Sequence, residues 1–240
     1  MLTTSGSLLS GLISAPLAGS GIPVVKSGLG TVTLSAANTY SGDTDIQAGT
    51  LKLAVGGSIS NSPTIIVGDV DGSGAVLDVS SVSPFTVGAG QTLKGHGTVV
   101  GTLAVAGHLA PGASPGTLNV GDIEFNNNSE LDIELASATS YSQLISSGTI
   151  TVDSNVKLAV TLTGGFDPAN GDVFNILGFN TISGTFAPVA LPDLDAGLSW
   201  KTDDLYTTGQ IQVIPEPATL VLLGFGLMGV IGMRKRRKTA

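Results

Sequence analysis

The chain has 240 residues and no cysteine, which excludes disulfides, thiol nucleophiles and thiolate metal sites together. Five of its ten basic residues stand at 234–238, so residues 1–233 set five lysines against 18 acids, a net charge of −13 that excludes nucleic acid as a partner. With 34 glycines, 12% charged residues and 5% aromatics against 42% hydrophobic content, it is too apolar for disorder and reads as many short strands with tight turns.

At the N-terminus the weakly apolar stretch Leu8 to Ile13 has no basic residue before it, the first being Lys26. A signal peptide needs such a region, so the sequence is expected to begin inside a longer mature protein, with residues 1–25 as the end of a preceding coil. Next comes the most informative body segment, Lys26 to Leu53. Val32 and Leu34 alternate with Thr31 and Thr33, and Leu51 and Leu53 alternate with Thr50 and Lys52, the period of half-buried strands. The interval between the strand starts Gly30-Thr31 and Gly49-Thr50 recurs between Gly97-Thr98 and Gly116-Thr117. A repeat of roughly 20 residues points to one coil of a solenoid. Further Gly-Thr pairs at 101, 148 and 184 are irregularly spaced, which insertions between coils would explain.

The segment resembles the autotransporter-associated β-strand repeat in Lys26-Ser27-Gly28, Gly30-Thr31, Leu34-Ser35, Asn38-Thr39-Tyr40, Gly42, Thr44, Ile46 and Gly49-Thr50-Leu51. That resemblance implies a right-handed parallel β-helix over residues 26–128, with weaker likeness at Val87 to Val99 and Leu109 to Leu118. The chain ends in basic residues and not in a terminal aromatic strand, so self-translocation through an outer-membrane barrel is not expected.

From Glu130 to Leu135, Leu131, Ile133 and Leu135 alternate with Glu130, Asp132 and Glu134. Strands are predicted at Thr149 to Val152, Lys157 to Thr163, Val173 to Ile176, Gly184 to Ala187, Leu198 to Lys201 and Gly209 to Val213, separated by turn residues. Residues 129–214 therefore read as terminal coils or a small β-sandwich, a cap that an open parallel edge requires.

Few residues suggest a site. Asp69 and Asp71 open an acidic, Gly-rich stretch like the start of a calcium loop, but no glutamate follows at the twelfth position, and a solvated turn between coils is preferred. The acids at 130, 132 and 134 form a carboxylate row suited to a cation or sugar hydroxyls, or simply the wet face of a strand. His96 and His108 have no metal-motif spacing and read as exposed turn residues. No metal site or cofactor is therefore assigned. No Gly-rich phosphate loop with a lysine is present and neither histidine has the family context of a catalytic triad, so no enzyme activity is expected. Tyr40, Tyr141, Trp200 and Tyr206 are too dispersed for a sugar platform and are predicted to pack in isolation.

The tail has three parts: Pro215-Glu216-Pro217, an uncharged apolar run from Ala218 to Met233, and Arg234-Lys235-Arg236-Arg237-Lys238. Pro217 suits the first position of a helix, and a helix from there to Met233 would span roughly 25 Å, the low end for a bilayer. The basic cluster belongs on the cytoplasmic side, leaving the body outside. Glycines 224, 226, 229 and 232 give one narrow side but no GxxxG pair. This tail, residues 215–240, resembles the PEP-CTERM sorting signal of Gram-negative bacteria. The resemblance implies export, temporary anchoring in the inner membrane by a single C-terminal transmembrane helix, recognition of Pro215-Glu216-Pro217 by an exosortase, and transfer to the surface or exopolysaccharide matrix. The expectation is an all-β exported structural protein; a glycan-binding adhesin and a polysaccharide-active β-helix enzyme are the alternatives.

Overall fold

A computed structural model describes residues 7–69, 74–112 and 115–216. Among these residues there is no α-helix and one short 3₁₀ turn, Ser80–Val82, and no helix is long and apolar enough to cross a membrane. The segment from Pro217 to Ala240, with its transmembrane expectation and basic cluster, lies outside the described residues, as does Asp71.

The strands stack into a solenoid with three faces. The first face runs over nine described strands from Ser7–Leu8 to Val189–Ala190, and the second over eight from Gly11–Ile13 to Leu177–Gly178. A third, of five strands, begins only at Phe85–Val87 and ends at Thr181–Ser183. Every pairing within these faces is parallel, and each strand pairs with strands one coil away in sequence. Inward positions stack identical chemistry: Val32 and Leu34 lie over Leu51 and Leu53, and Leu131, Ile133 and Leu135 over Leu158, Val160 and Leu162. Each fully buried aliphatic side chain in such a ladder contributes about 1.5–3 kcal/mol, and the core runs as one cluster from Leu17 to Val213.

Coil length varies. Thr31 pairs with Thr50, the register that the recurring Gly-Thr interval requires. The coil that carries Leu93 to Leu109 is shorter, whereas the one that carries Leu131 to Leu158 is much longer. The second occurrence of the Gly-Thr interval does not mark a register: Thr98 pairs with Asn119, not Thr117.

The polar residues of the Lys26–Leu53 coil turn inward and satisfy its corners. Lys26 is fully buried and donates its ammonium to the carbonyls of Gly28 and Ala48. Asn38 accepts from Leu17 N at 2.9 Å and donates to Ser58 O at 2.9 Å, bridging the coils on either side of it. Tyr40, Thr44 and Ser62 form a buried hydroxyl chain, with Tyr40 Oη 2.6 Å from Thr44 Oγ1 and Thr44 donating to Ser62 at 2.9 Å. Gly49 has φ +64°, and a Cβ there would overlap the Gly28 and Gly30 carbonyls of the neighbouring coil. Buried polar groups unpaired would cost about 1–3 kcal/mol each, so these residues hold the corners together.

At the far end a three-stranded antiparallel sheet follows, with Gln210–Pro215 between Val173–Asn175 and Leu198–Lys201. Parallel ladders meanwhile continue through Lys157–Leu162 to Val189–Ala190. The cap docks through Gly209, whose carbonyl accepts from Ile176 N and Leu177 N at 3.0 and 3.1 Å. One predicted strand is displaced: Gly184 to Ala187 forms no strand, and pairing instead involves Thr181–Ser183 and Val189–Ala190. Gly184 has φ +83°, a left-handed turn conformation, and a Cβ there would overlap the Val152 carbonyl.

Candidate functional site

The outer surface of the first face carries the only dense cluster of charged side chains near a groove among the described residues. Strand Glu130–Leu135 alternates as the sequence predicts, with Leu131, Ile133 and Leu135 fully buried and Glu130, Asp132 and Glu134 facing outward. Its neighbours His108–Pro111 and Lys157–Leu162 run parallel, so His108, Glu130 and Lys157 fall in one cross-strand row. His108 Nδ1 lies 3.2 Å from Asp132 Oδ2 and 3.9 Å from Glu130 Oε2, and Lys157 Nζ donates to Glu130 Oε1 at 2.6 Å. The other histidine, His96, is half-buried between strands Thr92–Gly95 and Thr98–Val100 and not exposed as expected.

Burial pushes the Glu130 carboxyl up, but the Lys157 hydrogen bond and charge, followed by Asp132 and His108, bring it below its ordinary range. Asp132 goes the other way. Burial, and after it the Glu130 charge, raise its carboxyl despite the His108 contact. Lys157 is correspondingly raised by its bond to Glu130. Beside this row a groove of about 350 Å³ is bordered by Asp132, Glu134, Lys94 and Asp69, with Ile66 and Pro111 as its apolar wall. Asp69 thus faces a groove, while its sequence partner Asp71 lies outside the described residues.

Burial accounts for the aromatic side chains. Tyr40 is buried and its phenol is pushed up to about 12 by desolvation, against the Thr44 hydrogen bond. The expectation of isolated packing is corrected for Tyr141, Trp200 and Tyr206. Tyr141, Phe166 and Trp200 converge on Phe174 with ring centroids 5.4, 6.1 and 5.9 Å away, and Tyr206 stacks on Phe186 at 6.4 Å. Residues far apart in sequence meet because the cap folds back on the last coils.

The last described residues lie at the end of the central strand of that cap. Ile211 and Val213 point into the core, and the strand ends at Pro215, opposite Leu198. Proline cannot donate to a ladder, which suits it to the end of a strand. Glu216 N then donates to Gly197 O at 2.8 Å, which ties the residue after the strand to the cap, and the side chains of Pro215 and Glu216 are both exposed. A family model for the PEP-CTERM protein-sorting motif matches residues 213–237. The chain carries a PEP-CTERM sorting motif. A second model, the passenger-associated-transport-repeat, matches residues 24–53, the coil whose inward polar corners are described above. No curated protein matches the chain.

A PEP-CTERM motif implies an exported protein that is anchored at the membrane before an exosortase processes it. Its match begins just before the tripeptide, at Val213, which is fully buried in the cap. Pro215 is the last residue of the capping strand, and Pro215 and Glu216 are both exposed. Pro217 and Arg234, Lys235, Arg236, Arg237 and Lys238 lie outside the described residues. That the capping strand runs on into Pro215 left no mark in the residue pattern, since Gly209 to Val213 already read as a complete strand.

Proposed function

We propose that this chain is a non-enzymatic structural protein of the cell surface or extracellular matrix, with a right-handed solenoid as its body. Its C-terminal segment spans the inner membrane as one helix, Arg234 to Lys238 stay on the cytoplasmic side, and the body is periplasmic until an exosortase acts at Pro215-Glu216-Pro217. The released body then joins the exopolysaccharide or biofilm layer. The observation that carries this reading is the sorting motif at the exposed end of the capping strand, where a membrane-surface enzyme can reach it. Support for the body's role comes from the repeat coil, whose motif residues are spent on holding corners together. Right-handed winding follows the general preference of parallel strand crossovers.

The decisive experiment is intact-mass spectrometry of the protein from membrane, surface and medium fractions of an exosortase-bearing host. A surface species ending at or near Pro217 is expected, and a Glu216→Ala variant should stay full length in the membrane. A surface-exposed species still carrying Arg234 to Ala240 in the wild type would overturn the reading. The groove beside Asp132, Glu134 and Lys94 favours a second reading, a glycan-binding adhesin. Reproducible release of reducing sugar from a glycan panel would instead make the chain a polysaccharide-active enzyme.

A further inference from the structure

Among the described residues one triplet of histidine and acidic side chains brings its ligand atoms within 4.8 Å of one another: His108, Glu130 and Asp132. Two successive coils supply it, His108 from strand His108–Pro111 and the two acids from Glu130–Leu135. Positions 130 and 132 share a face because a strand alternates, and parallel register places His108 directly beside Glu130. We propose that these three side chains form a binding site for one divalent transition-metal ion, with zinc the best chemical match, which fastens the two coils to each other.

The distances favour such an ion. A tetrahedral centre with bonds of about 2.0–2.1 Å has ligand atoms about 3.3–3.4 Å apart. His108 Nδ1 stands 3.2 Å from Asp132 Oδ2 and 3.9 Å from Glu130 Oε2. Small side-chain rotations close the remaining difference, and they are open to these groups because all three side chains are partly exposed. Lys157 fixes the other oxygen of Glu130 at 2.6 Å and so leaves Oε2 turned toward His108, the kind of outer contact that orients a ligating carboxylate.

Two carboxylates this close repel unless something positive lies between them. Lys157 is bonded to Oε1 of Glu130, and among the described residues it makes no ion pair with Asp132. An imidazole with two carboxylates suits zinc, whereas calcium and magnesium prefer oxygen donors throughout. Three protein ligands leave the fourth position to water, on the solvent side where His108 is 47% exposed. Among the described residues the acids around Asp45 and Asp69 have no imidazole with them and offer no comparable site.

The test uses the full-length chain in detergent, stripped of metal by a chelator and titrated with Zn²⁺ and, for its visible spectrum, with Co²⁺. Expected are one ion per chain, a tetrahedral Co²⁺ spectrum, and a higher unfolding temperature with Zn²⁺. His108→Ala should weaken binding by at least about tenfold, since even outer-sphere changes reach that size. Asp132→Asn, nearly the same shape, should do likewise while leaving the metal-free unfolding temperature close to wild type. Glu124→Gln removes an exposed carboxylate on another face and should leave binding unchanged. Absence of saturable binding would overturn the proposal, as would affinity that His108→Ala leaves within about twofold, or Ca²⁺ competing as well as Zn²⁺.

Discussion

The coil at 24–53 and the coils at 108–162 share the same parallel ladders, yet they place their polar side chains oppositely. In the first, Lys26, Asn38, Tyr40 and Thr44 point inward and are consumed by backbone groups and by each other. In the second, His108, Glu130, Asp132 and Lys157 stand on the outer face and bond to one another across strands. The recognisable repeat is therefore a signature of the fold, because its residues are those that a corner cannot do without. Chemistry that could meet a ligand sits where no motif marks it.

That contrast is sharpest at Tyr40. Tyr40→Ala should destabilise the body by about 3–5 kcal/mol, the cost of emptying a large buried aromatic site, as read by chemical unfolding. Tyr40→Phe separates the hydroxyl from the ring and should show in the pH dependence. The folded phenol titrates near 12 against 10.0 when free. Its contribution is then fully present below pH 10 and is lost as pH rises toward 12, by up to about 3 kcal/mol. Wild type should lose that stability in this window and Tyr40→Phe should not; parallel curves would mean the phenol is not shielded.

Asn38→Ala should cost about 1–3 kcal/mol, because Leu17 N loses its partner between coils. A loss below about 0.5 kcal/mol in denaturant titration would show that the asparagine bridge is not what joins the coils. At the other extreme, Lys157→Ala on the outer face should cost less than about 1 kcal/mol, as solvent-screened pairs do. A cost equal to that of Asn38→Ala would erase the distinction between inward and outward polar groups.

The period-two runs were legible because alternation follows from strand geometry alone. Glu130 to Leu135 and Thr31 to Leu34 come out as read, acids and threonines away from the core. Partnerships across coils were not legible. The interval between stacked residues changes from coil to coil, so neither His108 beside Glu130 nor Thr98 beside Asn119 could be reached by counting. Gly184 looked like another strand start, but its positive φ places it in a turn against Val152.

By itself the sequence determined the all-β character, the solenoid repeat and the sorting motif, because each rests on short-range order: alternation, the residue pattern within the single coil at 24–53, and a tripeptide before an apolar and then a basic run. Only the tertiary structure decided which coils are neighbours, that Tyr141 and Trp200 meet over Phe174, and that Pro215 ends a strand of the cap. It also decided that one imidazole and two carboxylates share a surface. Those contacts depend on how far each insertion carries the chain before it returns to the ladder, and loop length leaves no periodic trace in the residues themselves.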